Sequence, residues 1–361
     1  MRRLLLLSAL LLALAAPAFG AELSDALDLD SVEAAAPPEA AEVLGDANME
    51  SADLDGGLTK LWEAVRARLP EALRETVKPL AAIVAVTLTC SVAESFTAAQ
   101  GPAAEAVQMA GCLAVAVIGA ADVRSVMALG IETLERLGEF TRVLLPTLTA
   151  AAAAGGAPGS AAAVWAASAL FSDWLMTAAN GLVAPLLGGF TAAACAASVL
   201  GERRLEGPVQ FLQWGTRTLL KALVLAFTAY LSVSRALGAA SDAAAVKTAR
   251  ALLSAGVPVI GRSLSDASEA LVAGAGLLRA SVGVYGMLAV LAMLLAPLLR
   301  LALRVLLFRA AAAVCSGIAG ERVGRLLDRL GVAYSLLLGL VSTAAAIELL
   351  AIVSLIRTVT P

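Results

Sequence analysis

A chain of 361 residues that is 60% hydrophobic, only 15% charged and has a mean hydropathy of +0.86 falls well below the roughly one-quarter charged share of soluble domains. Apolar runs of about 20 residues recur, each long enough to cross a hydrocarbon core of ~30 Å. That excludes a soluble globular protein, and the absence of any His removes Ser-His and Cys-His nucleophile systems, HExxH zinc sites and His proton relays.

The fold class is therefore all-α: a polytopic helical membrane protein of about six to eight transmembrane helices with further amphipathic or re-entrant helices. Residues 1–20, MRRLLLLSALLLALAAPAFG, place Arg2 and Arg3 before an apolar run and a small-x-small site at Ala18-Phe19-Gly20. This is the pattern of a signal peptide. An uncleaved anchor helix is the alternative, and either puts the next segment outside the cytoplasm. Residues 21–57 carry eleven Asp or Glu, no Lys or Arg, and Pro37-Pro38, as an acidic disordered extracytoplasmic tail would. The whole chain is net −3, so the remainder is +8, as basic membrane-flanking loops require. No basic cluster interleaved with aromatics suggests nucleic acid, and no cofactor or metal motif occurs.

Residues 58–78 form an amphipathic helix, with Leu61, Val65, Leu69 and Leu73 at a spacing of four. A membrane domain over 79–361 follows, with candidate spans at 79–94, 103–121, 161–179, 182–200, 219–237, 282–299, 301–319 and 332–356. Residues 124–142 are amphipathic, Glu132, Glu135, Arg136 and Glu139 opposing Val126, Leu129, Leu134 and Leu137. Residues 144–160 are apolar but broken by Pro146, Gly155 and Gly156. Eight alternating spans cannot put Arg203, Arg204, Arg262, Arg300 and the Arg322, Arg325, Arg329 group on one side. Either one span does not cross or a broken segment re-enters. The four cysteines, Cys90, Cys112, Cys195 and Cys315, sit singly in apolar surroundings and read as packing residues. Glu348, Arg304 and Arg309 fall inside apolar runs, where ionisable groups are functional candidates; Asp173 and Asn180 read as capping or pairing residues.

Residues 242–276 form the second broken segment. Val246, Ala249, Leu253, Val257, Ile260, Leu264, Ala267 and Leu271 recur at steps of three and four, with Lys247, Arg250, Ser254, Ser265 and Glu269 opposite. Pro258, between Gly256 and Gly261, breaks the helix. Two amphipathic half-helices result, either an interfacial pair or a re-entrant hairpin lining a hydrated path. The candidate lining or gating residues are Asp242, Lys247, Arg250, Pro258, Gly261, Arg262, Asp266 and Glu269. Paired Pro/Gly-broken segments also occur in inverted-repeat transporters.

The stretch 241–278, SDAAAVKTARALLSAGVPVIGRSLSDASEALVAGAGLL, resembles the central signature of stage III sporulation protein AE of endospore-forming bacteria. That pattern is an Asp, Lys-Thr-Ala-Lys/Arg, Pro-Val-Val/Ile-Gly and a second Asp. Here it stands as Asp242, Lys247 to Arg250, Pro258 to Gly261 and Asp266. The Leu-Pro-x-Leu-Thr of 145–149, the proline closing a span at Pro297 and the signal peptide also match, over residues 80–361. Residues 279–283, Arg-Ala-Ser-Val-Gly, stand where the family has Lys-Asn-Ala-hydrophobic-Gly, so its Asn is absent. The resemblance implies a non-enzymatic channel or export-gate-like subunit in the mother-cell membrane facing the forespore. Its implied partners are other stage III A proteins, including a secretion-type ATPase and ring-forming proteins, and a forespore membrane partner. The alternative is a stand-alone secondary transporter, with Lys247, Asp266 or Glu348 coupling ions to a solute.

Overall fold

The computed structural model describes residues 32, 34–44, 53–96, 101–201, 205–256, 261–318 and 321–357. The expected signal peptide, most of the acidic tail and Pro258 lie outside the described residues. Regular structure among the described residues is helical: α1 (Pro38–Leu44), α2 (Leu54–Ser95), α3 (Pro102–Ala154), α4 (Pro158–Ala178), a π turn (Ala179–Val183), α5 (Ala184–Leu200), α6 (Glu206–Gly256), α7 (Gly261–Ile318) and α8 (Glu321–Arg357).

Local chemistry sets the ends of these helices. Asp53 caps α2 by accepting from the Gly56 N–H at 3.1 Å, which supplies one of the four donors a helix start leaves unpaired. Pro102 and Pro158 open α3 and α4 at positions where a missing N–H costs nothing. At the end of α3, Gly156 takes φ +92°. Its N–H donates to the Ala153 carbonyl at 3.0 Å, and that of Ala157 to the Ala152 carbonyl at 3.2 Å. These paired bonds close the helix as a Schellman turn, which needs a residue free to adopt positive φ.

The helices are longer than the expected spans. Among the described residues six are long and apolar enough to cross a membrane: Leu54–Ser95, Pro102–Ala154, Pro158–Leu200, Glu206–Ser234, Ala280–Gly317 and Glu321–Arg357. The eight separate runs read from the sequence therefore fuse in two places. Runs 161–179 and 182–200 join through the π turn, whose wider loop accommodates the missing donor and the ring of Pro185. Runs 282–299 and 301–319 join in α7, which continues through Pro297. Arg300, counted from sequence among the loop cations, is instead in mid-helix, 3.0 Å from Glu75 of α2. The amphipathic helix 58–78 and the first span are likewise one helix, running through Pro70 and Pro79. Proline inside such helices is tolerated because neighbouring helices re-satisfy the freed backbone.

The core lies along α8, which packs against α3, α4, α5, α6 and α7. Tyr334, Leu337, Val341, Ala344, Ile347 and Ala351 are fully buried. A helix apolar on nearly every face is stable only inside a bundle or lipid. The outer helices instead present large apolar side chains outward, including Leu113, Val117, Trp165, Trp174, Phe211, Trp214 and Leu306, as a lipid-facing surface requires. Within the segment expected to be disordered, α1 packs against α7 and α2. Ala40 and Val32 are buried there, and Glu39 and Glu42 meet arginines.

Candidate functional site

The two segments read as broken meet in space. Ending α3 at Gly155 and restarting at Pro158 exposes the first N–H groups of α4. Asp242, on α6, takes them: its carboxylate accepts from the Gly159 N–H at 2.7 Å, the Ser160 N–H at 3.0 Å and the Ser160 hydroxyl at 2.5 Å. A carboxylate at a helix N-terminus is favoured by both hydrogen bonding and the helix dipole. One turn before Asp242, Gly238 makes the approach possible, because a Cβ there would lie 2.6 Å from the Ser160 Cα. Of the other residues of the motif, Lys247 and Arg250 lie on the backbone of α6, and Gly261, Arg262, Asp266 and Glu269 on that of α7. Their side chains, and all of Pro258, lie outside the described residues. Pro146 sits inside unbroken α3, so the interruption falls at Gly155 and Gly156 alone. A proline there removes one hydrogen bond, to the Arg142 carbonyl, without ending the helix.

A second feature was not legible as a unit. Helices α1, α2, α3 and α7 line a half-open cavity of about 950 Å³. It is lined by the carboxylates Glu39, Glu42, Glu63, Glu71 and Glu132 and the cations Lys60, Arg68, Arg136 and Arg300. Arg68 pairs with Glu42 at 2.6 Å, and Arg136 with Glu39 at 3.0 Å and Glu132 at 2.7 Å. The wall on α7 contains Met293 and Pro297, and Pro297 has no N–H to donate to the Met293 carbonyl. A space this size holds on the order of 30 waters. Charges at 60, 63, 68 and 71 share one face of α2, and 132 and 136 one face of α3. That spacing is the sequence signal, but only tertiary packing shows that the faces oppose one another.

One turn beyond Arg300 on α7, the charge goes inward. Arg304 is 8% exposed and makes a two-pronged contact with Asp122 of α3, Nε to Oδ2 at 3.1 Å and a terminal nitrogen to Oδ1 at 3.3 Å. The Tyr334 hydroxyl of α8 donates to the same Oδ2, and the Tyr334 ring packs on Phe308 with centroids 4.8 Å apart. Asp122 therefore ties three helices in the middle of the bundle. Arg309, by contrast, is exposed. Glu348 of α8 is 2% exposed. Its Oε1 accepts from the Ser172 hydroxyl of α4 at 2.6 Å, while Oε2 and the Thr141 hydroxyl are buried without a hydrogen-bond partner. Asp173 and Asn180 are exposed. Among the described residues no three His, Cys, Asp or Glu side chains converge as a metal site would need, and the four cysteines are free thiols.

A family model described as stage III sporulation protein AE matches residues 42–358. No curated protein and no solved structure matches the chain.

Proposed function

The chain belongs to the stage III sporulation protein AE family and is a multi-pass helical protein with a role in sporulation; on that premise we propose that it is a channel or export-gate-like subunit of a complex joining mother cell and forespore. It sits in the mother-cell membrane and acts without catalysis. Its partners are other stage III A proteins, among them a secretion-type ATPase and ring-forming proteins, together with a partner in the forespore membrane. The observation that supports a conducting role is the charge-lined cavity of about 950 Å³ between α1, α2, α3 and α7. A scaffold gains nothing from a charged hollow in a bundle otherwise packed with Ala, Leu and Val, whereas a path for polar solutes needs one. The Asp242 contact holds the α3–α4 corner against α6, next to the helical arms that carry the family motif.

The test replaces three lining charges that make no ion pair with α1, Glu63→Leu, Glu71→Leu and Arg300→Met together, in a sporulating strain. Three of the nine lining charges are removed while both ion pairs to α1 are kept. The yield of heat-resistant spores should collapse although the protein reaches the membrane at normal levels. Normal spore yield from this variant would remove the path and leave a scaffold. A second reading, a stand-alone secondary transporter, is favoured by Glu348, whose half-partnered buried carboxyl is the kind of group that couples ions to transport. Solute movement by the purified chain in liposomes without partners, abolished in Glu348→Gln, would support it.

A further inference from the structure

Helix α1 forms one side of the charged cavity and is tied to its other walls by paired charges. Its two carboxylates contact two different walls, Glu42 reaching Arg68 on α2 and Glu39 reaching Arg136 on α3. Its apolar side adds Ala40, fully buried, and Val43, nearly so, against α7 and α2. With α1 seated, five carboxylates face four cations around the hollow; without it, three carboxylates face the same four. Arg68 would lose the ion pair it makes here, and Arg136 would keep only Glu132.

This helix has seven residues, too short to persist in water by itself. It is therefore helical because it is docked. Beside its apolar contacts with α7, its docking uses two ion pairs whose glutamates are 72% and 30% exposed. Partly solvated pairs of this kind are individually weak and sensitive to salt. A short acidic helix held over a large cavity partly through solvated ion pairs has the properties of a removable stopper rather than of a structural strut.

We propose that α1 is a resident plug: the cavity is a binding site for an acidic helical segment, the chain itself supplies that segment, and its release opens the cavity and leaves it net positive. This rests on reading the cavity as a hydrated path. Release would leave Arg68 without its Glu42 partner and Arg136 with Glu132 alone, so the opened state favours anionic solutes.

The experiment uses the full chain in lipid nanodiscs, with the four native cysteines replaced and a single Cys at Ala296, which lines the cavity on α7. The readout is the rate of modification by a charged, water-soluble thiol reagent. The double variant Glu39→Gln/Glu42→Gln should label about tenfold faster than the parent, the change expected from losing two pairs of ordinary strength. Added salt should speed the parent and not the double variant. The charge-swapped pair Glu42→Arg/Arg68→Glu should label slowly again, which separates loss of the plug from general unfolding. Equal, fast labelling of parent and double variant would overturn the plug while leaving a water-filled path in place. Absence of labelling in both would overturn the plug and the hydrated path together.

Discussion

Asp242 shows how one carboxylate can organise a corner of the molecule. It satisfies two backbone donors and a hydroxyl of a helix more than 80 positions earlier in the chain. Asp242→Asn keeps the size but loses the charge, so the purified protein should lose about 1–2 kcal/mol of stability, read as a lower melting temperature in detergent. Gly238→Ala should lower it further, because the obstacle is the Ser160 backbone rather than a side chain able to turn away. The Asp122–Arg304 pair carries a sharper expectation. Arg304→Met alone strands a buried carboxylate and should destabilise by about 3–5 kcal/mol, while Asp122→Leu with Arg304→Met should lose much less. A double-mutant cycle on thermal or denaturant unfolding measures the difference. Asp242 stood out in the sequence because it lies in a motif. Asp122 did not, because nothing local marks an Asp at the end of an apolar run as the partner of an Arg 182 positions away.

Among the elements, the helical class and the apolar runs were legible because composition and run length follow directly from the bilayer. The joins between runs were not. Pro297 and Arg300 resemble a loop when read along the chain, yet the Arg finds Glu75 across the bundle and α7 passes straight through. The same blindness applies to 124–142, whose charged face looked like an interruption and is the middle of α3, with Glu132 and Arg136 lining the cavity. Pro146 could not be told apart from Gly155 and Gly156 as the true break, since both kinds of residue weaken helices and only the glycine supplies positive φ. Pro297→Ala should return a donor to the Met293 carbonyl and raise the melting temperature, while lowering spore yield by altering the cavity wall. Unchanged spore yield with a raised melting temperature would show that the cavity does not need this proline.

At the scale of the whole molecule, the rods outrun the membrane. The 43 residues of Pro158–Leu200 extend to ~65 Å at 1.5 Å per residue, against ~40–45 Å for a bilayer with its headgroups. The bundle therefore either tilts steeply or projects from the membrane, and the polar cavity sits partway along it between apolar lengths of α3 and α7. Family membership assigns a role in sporulation; the physical feature able to perform a transport step is this cavity. Labelling of single cysteines along α7, carried to completion with a water-soluble thiol reagent on the full chain in nanodiscs, tests that most directly. Ala296 and Leu299 line the cavity, while Leu306 and Val314 are far more exposed but face outward. A hydrated path should give modification at Ala296→Cys and Leu299→Cys and none at Leu306→Cys or Val314→Cys, which lipid shields. Modification at Leu306 and Val314 with none at Ala296 and Leu299 would contradict both the membrane setting and the path.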